Sequence, residues 1–119
     1  MNRIKYQRIT IRIQSPNTPV TIDAETDRQF KKAKEVAVYS GTSYSANRNL
    51  VFSKPLKVNG NEVYPDGFDT FLLFPRVENK DYMCIEENAA GSKVEGEIVD
   101  KNSFATPYDA TILLTLANE

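Results

Sequence analysis

The sequence predicts an all-β fold: an antiparallel β-sandwich or barrel of about eight strands, single and jelly-roll-like. One domain spans residues 1–119, with one short helical turn near residues 24–32. Three observations predict this fold. Apolar side chains recur mostly with a period of two, not 3.6. Gly, Pro and Asn punctuate the chain at short intervals. Asn59-Gly60, set between alternating apolar residues, is a hairpin signal.

Ile9, Ile11 and Ile13 alternate with Arg8, Thr10, Arg12 and Gln14. That is a half-buried strand with one apolar and one basic face. Ile4 and Tyr6 precede it with the opposite parity, which predicts a bulge or bend near Gln7. Ser15-Pro16-Asn17 breaks the run. Thr18, Val20 and Ile22 form a second alternating set, with Pro19 placing it at an edge or strand start. Residues 23–32 read as the helical turn, capped by Asp23 or Thr26 and anchored by Phe30. A strand is expected at 34–40, a small polar loop from Gly41 to Asn47, and another strand from Asn49 to Ser53.

Asn59 and Gly60 suit the two positive φ values of a type I′ turn. Val58 then faces Asn61, and Leu56 faces Val63. Pro65-Asp66-Gly67 is a second turn. Phe68 to Phe74 reads as a strand stopped by Pro75. Tyr82 to Ile85 is a short strand and Asn88 to Gly91 a loop. Val94, Gly96 and Ile98 alternate with Lys93, Glu95 and Glu97. Ala110, Ile112, Leu114 and Leu116 mark the last strand.

Composition narrows the function. The 119 residues include no His, no Trp and one Cys. A chain without His has no Ser–His or Cys–His triad and no imidazole metal site. One Cys makes no internal disulfide and no thiolate zinc cluster. No apolar run approaches the roughly 20 residues of a membrane span. No signal peptide is expected, because no apolar segment follows Arg3, Lys5, Arg8 and Arg12.

The formal net charge of −1 hides an asymmetry. Residues 1–54 carry 10 Lys/Arg and 4 Asp/Glu, or +6. Residues 55–119 carry 5 Lys/Arg and 12 Asp/Glu, or −7. The split reads either as a bipolar surface that favours association or as two halves that interleave and neutralise each other.

Each candidate for chemistry has a plain alternative. Asp23, Glu25 and Asp27 alternate as in a calcium loop, but Arg28 stands where the tight-turn Gly belongs. Lys34 stands where the twelfth-position Glu belongs. Arg28, Lys31 and Lys32 would share a helical face and contact an anion, or simply meet solvent. Arg8 and Arg12 form a basic strand face that would meet an anionic lipid, a genome, an acidic neighbour or water. No specific nucleic-acid motif accompanies these charges. Asp66 with Asp69, and Glu86 with Glu87, are acid pairs without a legible cleft. Cys84 reads as a buried, inert thiol. Tyr39, Tyr44, Tyr64 and Tyr108 lie near loops and are interface or sugar-stacking candidates. No catalytic residue, metal or cofactor is expected, and the chain does not read as an enzyme.

Lys31-Lys32, then Val36-Ala37-Val38, then a hairpin leading to Val63-Tyr64-Pro65-Asp66-Gly67-Phe68, resemble small virion proteins of tailless icosahedral phages with an internal membrane. The stretch is similar to the small penton or minor capsid proteins of that group. The resemblance implies a single β-sandwich made in the host cytoplasm and located in the virion. It implies a homo-oligomer that meets other capsid proteins. A non-catalytic ligand-binding β-sandwich, for carbohydrate or peptide, is the alternative.

Overall fold

A computed structural model describes residues 3–40, 50–101 and 107–118. Among these residues the strands are β1 (Ile4–Ile13), β2 (Val20–Glu25), β3 (Lys32–Ser40), β4 (Leu50–Val58), β5 (Asn61–Tyr64), β6 (Cys84–Asn88), β7 (Lys93–Asp100) and β8 (Tyr108–Ala117). Two 3-10 turns, Thr70–Leu73 and Val77–Asn79, lead into one short helix, α1 (Lys80–Met83).

The strands form two four-stranded antiparallel sheets, ordered β1-β8-β3-β6 and β2-β7-β4-β5. The pairings β1–β8, β2–β7, β3–β6 and β4–β5 nest inside one another. One long antiparallel ribbon, closed at the β4–β5 hairpin and wrapped into a sandwich, produces this order. It is the jelly roll expected from the strand count.

Alternation supplies the core. Ile9, Ile11 and Ile13 of β1 face inward with Val36 and Val38 of β3 and Ile112, Leu114 and Leu116 of β8. Ile22, Phe52, Leu56, Val58, Val94 and Ile98 close on them from the second sheet. Each such side chain contributes about 1.5–3 kcal/mol when fully buried. Asn59 and Gly60 have φ of 55° and 78°, as a type I′ turn requires. Val58 faces Asn61 as expected, but a bulge then sets Leu56 opposite Tyr64 instead of Val63. The bulge turns Tyr64 into the core.

The ribbon also resolves the charge split. The wrapping pairs strands of the basic half with strands of the acidic half. Ion pairs Arg12–Asp109 at 3.2 Å, Lys34–Glu86 at 2.8 Å and Lys54–Glu97 at 3.6 Å join the two.

Four expectations are corrected. The bend near Gln7 is absent, because β1 pairs with β8 in one unbroken register from Ile4 to Ile13. Lys5 and Gln7 share the inward parity and reach across to the end of β2. Lys5 Nζ meets Asp27 Oδ2 at 2.5 Å, and Gln7 donates to Glu25 O at 2.7 Å while accepting from Asp27 N at 2.9 Å. Ile4 and Tyr6 therefore point outward beside Arg8 and Arg12.

The helical turn near 24–32 is not a helix. β2 continues to Glu25, and a turn follows in which Phe30 N donates to Asp27 O at 3.2 Å. Thr26 caps a distant loop: its hydroxyl accepts the N–H groups of Gly91 and Ser92 at 3.1 and 3.0 Å. The strand expected over 68–74 is largely a 3-10 turn. The Asp69 carboxylate accepts the Phe71 N–H at 2.9 Å and bends the chain. The short strand expected at 82–85 begins only at Cys84, because α1 occupies the residues before it.

Candidate functional site

The segment between β5 and β6 builds an arm on one flank of the sandwich. Leu73, fully buried, anchors it in the core. Asn79 pins it: its side-chain amide donates to Phe71 O at 2.9 Å and Phe74 O at 3.0 Å. Phe52 of β4 and Tyr64 of β5 pack in series with Phe68 and Tyr82 of the arm, with successive ring centroids 6.0, 4.8 and 6.5 Å apart. Tyr64 donates its hydroxyl to Tyr82 O at 2.6 Å. These contacts hold Val77 and Tyr82 outward, 87% and 49% exposed.

β1 is the edge of its sheet opposite β6, the strand into which the arm leads. Ile4 and Tyr6 on its outer face are 59% and 65% exposed. Arg8, Thr10 and Arg12 continue that outer row. Among the described residues, the exposed large apolar side chains are these two pairs, one on each flank.

The other predicted residues scatter. Tyr64 is a core residue, and burial raises its phenol pKa strongly. Tyr39 is buried as well, so neither ring offers a surface. Tyr108 is half-buried and donates to the buried Asp100 carboxylate. Burial first, and the Asp100 bond second, raise its pKa strongly. Tyr44 lies outside the described residues. Arg12 pairs with Asp109. Arg28, Lys31 and Lys32 do not share a helical face: Arg28 lies in the turn, Lys31 is exposed, and Lys32 opens β3 with its ammonium on Asn88 Oδ1 at 3.0 Å.

Asp27, Glu86 and Glu87 have structural partners. Asp27 is held below the usual carboxylate range by the Lys5 ammonium and then the Gln29 N–H. Glu86 is held low by Lys34. Glu87 accepts from Asn61 at 3.1 Å. Among the described residues, no group of three His, Cys, Asp or Glu is placed to hold a metal ion. Cys84 is exposed instead of buried, 4.0 Å from Glu35 Oε2 on the outer face.

Two open dents mark the surface. One, of about 330 Å³, lies between the arm and β3 and is lined by Glu35, Pro75, Arg76, Val77, Lys80 and Met83. The other, of about 370 Å³, lies over Gly96 among Lys54, Lys57, Lys93, Asp23 and Glu95. Sequence reasoning missed Val77 altogether and placed Tyr82 in a strand. It registered Ile4 and Tyr6 only as a phase change, although their parity already grouped them with Arg8 and Arg12. No family model, curated protein or solved structure matches the chain.

Proposed function

We propose that this chain is a structural virion protein, a penton or minor capsid component that assembles as a symmetric oligomer in a viral shell. The observation that carries the reading is the nested ribbon order, a layout that recurs in viral capsid subunits. Lectins and cupins share that architecture, so the topology is weighed together with its surface. Among the described residues, the exposed large apolar side chains lie on β1 and on the arm, surfaces that neighbours in a shell would cover. The tyrosines of the alternative, ligand-binding reading support it less, since Tyr39 and Tyr64 are buried. A shell subunit draws its affinity from repetition of modest contacts, so it needs no nucleophile, metal or cofactor. Its partners are further copies and other shell proteins. Gradient sedimentation of cells producing the chain tests the reading. The chain is expected to sediment with assembled particles; a chain that stays at the top of the gradient at every stage refutes it.

A further inference from the structure

We infer that copies of this chain associate head to tail, the β1 face of one copy (Ile4, Tyr6, Arg8) seating on the arm of the next (Val77, Asp81, Tyr82). The inference rests on the proposed self-assembling role and names the two surfaces that carry it.

The first observation is placement. β1 and β6 are the two edges of one sheet, and the arm, which leads into β6, packs on β3 and β4 and sets α1 against β3 and β6. Ile4 and Tyr6 are therefore exposed on one flank, and Val77 and Tyr82 on the other. A neighbour that covers both removes this apolar surface from water.

The second observation is charge. β1 carries Lys5, Arg8 and Arg12 and no acid, or +3. β8 carries Asp109, or −1. β3 carries Lys32, Lys34 and Glu35, or +1. β6 carries Glu86 and Glu87, or −2. Across the order β1-β8-β3-β6 the sign alternates, and the two edges have opposite signs. A second copy placed with its β1 beside this β6 continues the alternation. Two β1 faces placed together would set like charges against each other, as would two β6 flanks. Charge therefore disfavours a two-fold, self-complementary pairing and favours a heterologous one. A heterologous contact closes a ring, the form a shell vertex needs, when its rotation divides a full turn, and otherwise builds an open filament.

The third observation is what remains unpaired. Lys5 is taken by Asp27 and Arg12 by Asp109, while Glu78 is taken by Arg76 and Glu86 by Lys34. Arg8 on β1 and Lys80 and Asp81 on the arm make no ion pair among the described residues, and all three are exposed, so Asp81 is the acid on the arm left to meet Arg8. Arg8 and Asp81 lie one on each flank, beside the exposed apolar residues.

The test uses cross-linking with the full chain in a Cys84→Ser background, since the native thiol is exposed. Tyr6→Cys and Val77→Cys proteins are treated with a short bismaleimide, separately and mixed. Covalent dimers are expected in the mixture, and monomers in each separate sample. In parallel, light scattering follows charge exchange. Arg8→Glu and Asp81→Lys are each expected to lose the oligomer, and the double variant to regain it. Dimers formed as readily by Tyr6→Cys without its partner overturn the head-to-tail geometry. So does an oligomer whose mass neither charge variant changes, and self-assembly then stands through another surface. A wild-type monomer that yields no mixed dimer also overturns the contact. Membership of the shell is then judged separately by whether the chain sediments with particles, a readout independent of the surface used.

Discussion

Replacing Asn79 by Ala should release the arm that presents Val77 and Asp81. Asn79 is 4% exposed, and its amide bonds two carbonyls. Phe71 O keeps the Phe74 N–H at 3.2 Å, so it loses only one of two donors, worth about 0.5–1.5 kcal/mol. Phe74 O keeps no other donor among the described residues, and an orphaned carbonyl costs about 1–3 kcal/mol. Together the loss is about 1.5–4.5 kcal/mol. At roughly 4 °C per kcal/mol for a domain of this size, the melting temperature falls by about 6–18 °C. Urea unfolding followed by circular dichroism measures the global part. Hydrogen exchange at the Phe74 and Asn79 amides, which bond to Phe71 O and Arg76 O, measures local opening of the arm. An unchanged midpoint with unchanged protection at both amides would refute the claim that Asn79 holds the arm.

Gly96 points toward the core between Val94 and Ile98, and an added Cβ would lie 3.2 Å from Pro55 O and 3.3 Å from Leu56 Cδ1. Gly96→Ala should cost about 1–3 kcal/mol in urea unfolding, and a neutral result would show that Pro55 and Leu56 of β4 yield freely. Cys84 should react with one equivalent of a thiol reagent in the folded protein, and a thiol that reacts only after unfolding would contradict its exposed position. Tyr64 and Tyr108 have phenol pKa values raised by folding. Their contribution to stability is therefore complete below the ordinary phenol pKa of about 10 and declines as pH rises above it. Ultraviolet titration should show delayed phenols that Tyr64→Phe and Tyr108→Phe each reduce by one; delay that survives both substitutions would contradict the assignment.

Alternation made the sandwich legible, because period two and burial agree over Ile9–Ile13 and Ala110–Leu116. The hairpin was legible because Asn59-Gly60 combines positive φ with matching apolar residues. The misread elements share a different cause. Thr26 and Asp69 are both capping residues by type, yet one caps a loop more than sixty residues away and the other bends its own segment into a 3-10 turn. A hydroxyl or carboxylate does not reveal in sequence which N–H it will meet. The run Phe71–Phe74 is apolar enough for either a strand or a buried turn, and periodicity does not separate them. Cys84 exchanged inside for outside because α1 set the parity of β6. The flanks were hardest to read. Ile4, Tyr6, Val77 and Tyr82 are apolar residues on the outside, and binary pattern reasoning assigns such residues inward. Only the strand order shows that β1, which carries Ile4 and Tyr6, and β6, which follows the arm, are opposite edges of one sheet.

Mass spectrometry of intact, purified particles tests the shell assignment most directly. The chain is predicted to be present as a repeated component of particles stripped of loosely bound protein. Its absence from such particles, with the other shell proteins detected, would contradict the assignment.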